Sequence, residues 1–246
     1  AAILSQSAEV LATHGNLNND IGLPLTLCRL AGEDYAVVEL GANHAGEIDY
    51  LSRIARPDVA VLNNAGRAHL EGFGSLEGVA RAKAEIINGL SGDGVFVYNA
   101  DDAFAGMWRK LSAEHKTLSF GVRETADVSS PVETAALQWD EQGFAMSFPV
   151  RSLAGNFDIR LALAGEHNRM NALAASAAAI ALGIAPHVIA KGLAAMQPVP
   201  GRLCPLVGLG GARVVDDSYN ANPESVSAAI AVLAAAPGRR TLVLGD

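Results

Sequence analysis

The sequence predicts an α/β protein built on a parallel sheet covered by helices, and three observations support that prediction. Strand-like and helix-like segments alternate from residue 35 onward, as in successive strand–helix–strand units. Half of the 246 residues are hydrophobic but only 5% are aromatic, so Ala, Val, Leu and Ile must form most of the core, as is usual for such a sheet. Short alternating runs replace this rhythm between residues 127 and 163, which indicates a small inserted antiparallel sheet.

The predicted elements follow in order along the chain. Apolar residues at helical spacing predict a helix over 1–13, and a short helix follows at 25–30. Strands are predicted at 35–40, 58–62, 95–98 and 117–120, with helices at 47–55, 76–90 and 103–111. The antiparallel strands are expected at 136–139, 144–150 and 157–163, before a helical pair at 168–182 and 186–195.

The strongest signal for a domain boundary is Pro198-Val-Pro-Gly-Arg202, because two prolines and a glycine interrupt both helices and strands. Beyond it, a strand at 212–215, a helix at 223–235 and a strand at 241–244 start a new unit. Two strands and one helix cannot close a doubly wound domain. We therefore expect residues 1–199 to form one domain and residues 200–246 to begin a second.

Charge and cysteine content exclude several classes of protein. The net charge of -8, without a run of Lys or Arg, argues against nonspecific binding to nucleic acid or to an anionic membrane. Cys28 and Cys204 are far apart and form no Cys-x-x-Cys pattern, so we expect neither a disulfide framework nor a thiolate zinc site, and a cytoplasmic location. The Ala-rich stretch 172–186 is too short and too weakly apolar for a membrane span and predicts a buried helix.

Residues suited to metal or phosphate chemistry follow three strand-like runs, at 39–44, 63–71 and 216–223. Ligands of open α/β sheets bind beyond the carboxyl ends of the strands, so the three segments indicate one assembled site. Each signal also has a structural interpretation. Glu39 suits a solvent-facing strand end, His69 a hydrogen-bonded surface loop, and Lys83 with Glu85 a solvated helix face.

Two further segments also allow both a functional and a structural interpretation. Asn168 and Asn171 lie between a strand and a helix, so each suits either a helix cap or the recognition of a ligand's hydrogen-bonding edge. Asn222 before Pro223 predicts a helix N-cap with proline in the first turn. The chain contains no Gly-Lys dipeptide and hence no phosphate-binding loop of its own, and it has no Gly-x-Ser-x-Gly motif.

Six segments taken in order, at 15–24, 39–44, 68–75, 82–86, 165–171 and 217–223, closely resemble the Mur ligases. The resemblance spans nearly the whole chain. It implies a central P-loop-type ATPase domain, here without its phosphate loop, and the beginning of a Rossmann-like C-terminal domain. An N-terminal domain that binds the uridine nucleotide substrate would belong to the same architecture.

The resemblance also implies an activity in peptidoglycan synthesis. The most similar branch is an ATP-dependent ligase that adds D-alanyl-D-alanine to UDP-N-acetylmuramoyl-tripeptide through an acyl phosphate, and we expect it to act as a monomer. One alternative is a ligase of the same superfamily that adds another amino acid or extends folate with glutamate. The other is a catalytically inert fragment, because nothing in this sequence can cradle a triphosphate.

By the same resemblance, Glu39, His69 and Lys83 would form the catalytic set that binds Mg²⁺, with Lys83 carbamylated. A carbamate replaces a cation by an anion with two oxygens, and Mg²⁺ prefers oxygen ligands. The nucleotide-binding residues would be Asn168, Asn171, Arg202 and Asp217, with Asn171 at adenine and Arg202 at a phosphate. The substrate-binding residues would be Asn43, His44, Tyr219, Asn220 and Asn222.

Overall fold

The structure is a computed structural model that describes residues 1–66, 70–123, 125–131, 135–140 and 143–245, and only the backbone of residues 70 and 71. The strands are β1 Val10–Ala12, β2 Tyr35–Val37, β3 Val59–Leu62, β4 Val95–Asn99, β5 Lys116–Gly121, β6 Val128–Ser129, β7 Ala136–Asp140, β8 Gly143–Ser152, β9 Phe157–Leu161, β10 Cys204–Val207 and β11 Arg213–Asp216. The helices are α1 Gly22–Leu27, α2 Glu47–Ala55, α3 Leu70–Phe73, α4 Leu76–Ala84, α5 Ala105–Leu111, α6 Glu166–Ala181, α7 Pro186–Ala194 and α8 Pro223–Ala235. Shorter 3₁₀ segments occupy Leu4–Gln6, Glu85–Gly89 and Leu209–Gly211.

The main sheet has the order β3-β4-β5-β6-β8-β7, with β9 on the other edge of β8. Strands β3 to β6 pair in parallel, whereas β7, β8 and β9 pair antiparallel. The fold class is therefore confirmed, including antiparallel strands within residues 127–163.

Helices cover both faces of the parallel strands, and β4 shows why. Phe96 and Tyr98 pack on one face with Trp108 of α5, while Val97 between them packs on the other face with α6 and α7. Successive side chains of a strand point to opposite faces, so an unbroken apolar run is what a sheet buried on both sides requires.

Helix α6 lies on the second of these faces and confirms a buried helix within the stretch 172–186, although the helix ends at Ala181. Its inward side consists of small residues such as Ala172, Ala174 and Ala177, which let it approach the strands closely. Among the helices of the described ranges, none combines the length and the apolar character needed to span a bilayer.

The helix expected over 1–13 is wrong. A single 3₁₀ turn, Leu4–Gln6, precedes strand β1, which pairs in parallel with β2. Ile3 is buried against α7, where a Cβ on Gly192 would lie 2.4 Å from the Ile3 Cα, and Leu11 is buried in the strand. Tertiary pairing thus overrides the helical spacing of these apolar residues, as often happens for short segments.

Other elements also differ from the prediction; for example, α1 spans Gly22–Leu27 rather than 25–30, and β2 ends at Val37 rather than at 40. The helix expected over 76–90 ends at Ala84 and tightens into the 3₁₀ segment Glu85–Gly89. Residues 241–244, expected as a strand, adopt no regular structure, and Leu242, Val243 and Leu244 are exposed. Strand β10 was not predicted, because Pro205 interrupts the strand signal in a short segment.

Strands β10 and β11 with α8 form a second unit that packs against the antiparallel strands. Leu203 and Val232 of this unit are buried together with Phe144 and Ala164 of the first. The described units therefore meet through an apolar contact close to the start of α6. The boundary at residues 199 and 200 itself stays a prediction.

Candidate functional site

The loop after β3 is held by side chains from α4, from the last residue of β4 and from the loop that follows β4. Asn99 Nδ2 donates to the carbonyl of residue 63 at 3.1 Å, and Lys83 Nζ donates to the carbonyl of residue 64 at 2.9 Å. Asp102 Oδ2 accepts from the N–H of residue 65 at 3.0 Å. These contacts fix the loop backbone at the carboxyl edge of the parallel sheet, where ligands of such sheets bind.

A row of three asparagine side chains crosses from this loop to α6. Asn63 Nδ2 donates to Asn171 Oδ1 at 2.7 Å, and Asn171 Nδ2 lies 3.4 Å from Asn168 Oδ1. Asn63 Oδ1 is buried and has no hydrogen-bond partner among the described residues. Buried polar atoms are nearly always paired, so this oxygen is suited to accept from a ligand N–H.

The capping role considered for Asn168 and Asn171 is wrong. Helix α6 begins at Glu166 after Gly165, and no side chain in the described part of the chain caps it. Asn168 Nδ2 donates instead to the carbonyl of Ala164 at 2.8 Å. Both asparagines therefore lie inside the first turns of α6 and direct their amides toward one another.

Lys83 is half-buried, so it does not belong to a freely solvated helix face. Burial lowers the pKa of the Lys83 amine, while the charges of Asp102 and Glu224 partly oppose that shift. Glu224 comes from the first turn of α8, and its Oε2 would lie 2.6 Å from a Cβ placed on Gly66. The second unit thus brings a carboxylate to the loop that Lys83 holds.

The segment after β2 is anchored by the loop after β1. The N–H of Glu39 donates to Thr13 Oγ1 at 2.9 Å, and Asn18 Nδ2 donates to Glu39 Oε1 at 2.9 Å. The N–H of Gly41 donates to the carbonyl of Asn18 at 2.8 Å. Glu39 itself is exposed, as expected of a carboxylate at a strand end, and its position is set by these three bonds.

Asn43 and His44 are organised by Glu47. One carboxylate oxygen of Glu47 accepts from the N–H of Asn43 at 2.7 Å and of His44 at 3.3 Å, and the other lies 3.1 Å from His44 Nδ1. The bond from the Asn43 backbone, followed by that from the His44 side chain, lowers the pKa of Glu47. This turn lies against α3, since a Cβ on Gly72 would meet the carbonyl of Asn43.

Arg202 and Asp217 lie together in the second unit. The guanidinium of Arg202 is exposed and lies 4.2 Å from the centre of the Tyr219 ring, a cation–π contact. Asp217 Oδ1 accepts from the N–H of Leu203 at 3.0 Å. Leu203 has a positive φ of 46°, so this bond helps to stabilise a strained turn beside Arg202.

Asn220 and Asn222 act locally in the same segment. Asn220 Oδ1 accepts from the N–H of Ala221 at 2.8 Å. Asn222 Oδ1 accepts from the N–H of Ser225 at 2.8 Å and caps α8, with Pro223 in the first turn. The predicted N-cap is confirmed.

His167 lies at the junction of the two units. Burial lowers the pKa of its imidazole, against the opposing charges of Asp217 and Glu166. A Cβ on Gly165 would contact both the His167 ring and Val232 of α8. The junction is therefore closely packed around this histidine.

The predicted site residues thus fall into three groups. The first group surrounds the loop after β3, which Lys83 and Asn171 contact directly, and Asn168 contacts Asn171. The second group, in the segment after β2, consists of Glu39, Asn43 and His44. The third group, in the second unit, consists of Arg202, Asp217, Tyr219, Asn220 and Asn222. His69 lies outside the described residues. Within the described ranges, no three His, Cys, Asp or Glu side chains lie close enough together to hold a metal ion.

Sequence reasoning assigned no role to Asn63, Asn99 or Asp102. The available signal was position, since Asn63 directly follows β3 and Asn99 is the last residue of β4. Polar residues at the carboxyl ends of adjacent parallel strands indicate a shared site, because the sheet places them side by side.

Comparison with known proteins agrees with this arrangement. Residues 1–179 match the family model described as "Mur ligase middle domain". A protein of Escherichia coli (strain K12) named "UDP-N-acetylmuramoyl-tripeptide--D-alanyl-D-alanine ligase" is 45% identical over 100% of this chain and 54% of its own length. The chain therefore spans about half the length of this relative.

Solved structures show the same relationship. A crystal structure of MurF from Acinetobacter baumannii is 42% identical and superposes with a TM-score of 0.89 over 97% of this chain and 51% of its own. The MurF ligase of Thermotoga maritima in complex with ADP is 32% identical, with a TM-score of 0.83 over 97% of this chain and 53% of its own. The chain belongs to the Mur ligase family.

Proposed function

We propose that the protein containing this chain is an ATP-dependent ligase that joins D-alanyl-D-alanine to UDP-N-acetylmuramoyl-tripeptide in peptidoglycan synthesis. The reaction and its substrates come from the name of the Escherichia coli relative, whose similarity extends over the whole chain. The structural observation that supports the nucleotide part is the buried, unpartnered Asn63 Oδ1 beside Asn171. The exocyclic amine of adenine offers the N–H that this oxygen lacks.

In this proposal, residues 1–199 are the central ATP-binding domain and residues 200–246 begin the C-terminal domain. Asn168 and Asn171 bind adenine, and Arg202 and Asp217 act on the nucleotide from the second unit. The exposed guanidinium of Arg202 supports a phosphate contact, because arginine can donate two parallel hydrogen bonds to phosphate oxygens. The ADP complex of the Thermotoga maritima relative supports the use of ATP.

We also propose that Lys83 is carbamylated. The lone pair of the neutral amine attacks carbon dioxide, a C–N bond forms, and one proton passes to water, leaving a carbamate anion. Only the neutral amine can react, so the lowered pKa of Lys83 favours the step. The carbamate nitrogen keeps one N–H, which suffices for the bond to the carbonyl of Asn64.

Mg²⁺, when bound, supplies positive charge to the phosphate oxygens. Glu39, His69 and the carbamate of Lys83 are the residues that would hold it. The donor chemistry of Glu39 fits, since its carboxylate offers the oxygen ligands that a hard cation prefers. An unmodified Lys83 ammonium does not fit, because it has no lone pair to donate, so the metal and the carbamate are proposed together.

The chain's own residues then bind and orient the reactants. The γ-phosphoryl group of ATP passes to the tripeptide carboxylate, giving an acyl phosphate and ADP. The amine of D-alanyl-D-alanine attacks the acyl carbon, phosphate departs, and the amine loses a proton. Asn43, His44, Tyr219, Asn220 and Asn222 are the proposed substrate contacts, and their fixed positions reduce the entropy lost in bringing the reactants together.

A cytoplasmic, monomeric protein fits the same proposal. ATP is a cytoplasmic cosubstrate, and the described structure holds Cys28 and Cys204 as free thiols, which persist in a reducing compartment. Light scattering on the complete protein tests the monomer. Fractionation of the source cells tests the location.

The decisive experiment measures phosphate release by the complete protein with ATP, UDP-N-acetylmuramoyl-tripeptide and a series of acceptors. We expect turnover with D-alanyl-D-alanine and none with single amino acids, or with folate and glutamate. Turnover with a single amino acid would assign the protein to another ligase branch. Calorimetry with ATP and Mg²⁺ on the 246-residue chain tests the alternative of an inert fragment, and tight binding would argue against that alternative.

A second experiment tests the two residue assignments. We expect Asn63→Ala to raise the KM for ATP about ten-fold, and Lys83→Ala to abolish most turnover, with partial recovery when formate or acetate replaces the carbamate. Lys110→Ala on α5 is the matched control, since Lys110 is exposed. Undiminished turnover of Lys83→Ala would refute the carbamate.

A further inference from the structure

The carboxylate of Glu85 caps a helix to which it does not belong. The N–H of Gly46 donates to both Glu85 oxygens at 2.9 Å, and the N–H of Asp49 donates to Oε2 at 3.2 Å. The donors are the N-cap residue and the third residue of α2, whose backbone N–H groups have no partner within the helix. Glu85 supplies acceptors, and its negative charge lies at the positive end of the helix dipole.

Among the side chains that the structure describes, only Glu85 caps the start of α2. Its N-cap residue is Gly46, with φ 88°, which has no side chain to accept a hydrogen bond. The acidic residues of its first turn are engaged elsewhere, Glu47 with the turn that precedes the helix and Asp49 with Arg53. The cap therefore depends on Glu85.

Close packing holds the 3₁₀ segment Glu85–Gly89 against α2. Asn88 Nδ2 donates to Asp49 Oδ1 at 2.6 Å, and Ser52 Oγ donates to the Glu85 carbonyl at 3.4 Å. A Cβ on Gly89 would lie 2.3 Å from the Ser52 backbone, so the two backbones are in direct contact. Neither element can slide along the other without breaking these contacts.

The contact between the 3₁₀ segment Glu85–Gly89 and α2 forms a joint, and this joint connects two of the three groups of predicted site residues. Lys83 lies two residues before Glu85, and Asn43 and His44 directly precede the α2 turn that Glu85 caps. We propose that Glu85 is a positioning residue, which holds the turn at residues 43–46 in a fixed position relative to Lys83. Glu85 contacts neither substrate nor nucleotide and acts through these residues. This proposal rests on the proposed function.

Kinetics of the complete protein separate this role from general destabilisation. We expect Glu85→Ala to lower kcat at least about ten-fold and to leave the KM for ATP within about two-fold, because other residues fix Asn63 and Asn171. Glu85→Gln keeps one acceptor for Gly46 and should lose less. Glu77→Ala, on the exposed face of α4, should match the wild type.

Two kinetic outcomes would overturn the proposal. One is a wild-type kcat in Glu85→Ala, and the other is a fall in kcat accompanied by an equal rise in the KM for ATP. If Glu85→Ala does not fold, Glu85→Gln carries the same test, with kcat lowered at least about three-fold and the KM for ATP unchanged.

Amide hydrogen exchange tests the joint without reference to activity. In Glu85→Ala, the N–H groups of Gly46 and Asp49 should exchange at least about ten-fold faster, with no change in β4 or β5. Unchanged exchange at both positions would refute the joint. A wild-type protein that releases no phosphate with D-alanyl-D-alanine would refute the proposed function instead, while the exchange result would still decide the role of Glu85 in the fold.

Discussion

Arg169 offers the sharpest test of the structure, because it is a fully buried cation that joins two elements. Its side chain has no exposed area, and Nη2 donates to the carbonyls of Ser130 at 2.8 Å and Pro131 at 2.5 Å. Nη1 pairs with Glu166 at 3.1 Å, and the guanidinium lies 5.8 Å from the centre of the Phe148 ring. The residue thus ties the start of α6 to the segment after β6.

Replacing Arg169 by Met keeps most of the apolar volume but removes every donor. Each of the two carbonyls would lose the bond from Arg169, which is buried at Ser130 and part-buried at Pro131, at a cost of about 1–3 kcal/mol. The Glu166 side chain is 64% exposed, so water replaces that part of the contact at little cost. We expect the free energy of unfolding to fall by about 3 kcal/mol, which corresponds to a decrease of about 6–12 °C in Tm for a chain of this size.

Urea unfolding of the 246-residue chain, followed by tryptophan fluorescence, measures this loss. Arg160→Met is the matched control, because Arg160 is exposed on β9 and its replacement should change stability by less than about 0.5 kcal/mol. Equal unfolding midpoints for the two variants would show that Arg169 does not bridge these carbonyls in solution.

The other predictions concern a histidine, two glycines and a helix cap. Burial lowers the pKa of His167 below its usual 6.5, so the unfolded state binds more protons than the folded state and stability falls as the pH drops below about 6.5. In His167→Gln, Tm should therefore change less between about pH 7.5 and 5.5 than it does in the wild type. Gly192→Ala should cost about 1–3 kcal/mol in urea unfolding, since its Cβ would lie 2.4 Å from a neighbouring backbone. Gly106→Ala, in an open stretch of α5, should instead raise stability by up to about 1 kcal/mol. Asn222→Ala should cost about 1 kcal/mol, measured by thermal unfolding, because α8 loses its N-cap.

Each of these predictions has a contrary result. His187→Gln, at an exposed position, should retain the pH dependence of the wild type, and loss of that dependence in this control would remove the role assigned to His167. Equal effects of the two glycine substitutions would contradict the packing of α7 on the segment before β1. Unchanged stability of Asn222→Ala, with Asn220→Ala as the comparison, would contradict the cap.

Sequence patterns correctly predicted the elements whose formation depends mainly on neighbouring residues. Helix α2 spans 47–55 and α8 spans 223–235, as expected, and α8 has the asparagine cap and the proline that the sequence indicates. The antiparallel strands follow from two-residue alternation, which one buried face imposes on a strand. The predictions failed where a distant partner decided the outcome, as in the 3₁₀ segment at Glu85, where the segment packs against α2.

By itself, the sequence determined the α/β class, the change to antiparallel strands and the resemblance to the Mur ligases, because periodicity and ordered motifs are properties of neighbouring residues. Only the tertiary structure decided that Asn63 meets Asn171, 108 residues away, and that Glu85 caps a helix 39 residues before it. Such hydrogen bonds leave no periodic trace in the chain. They exist because the folded sheet brings separate strand ends to one edge, where each polar group must find a partner.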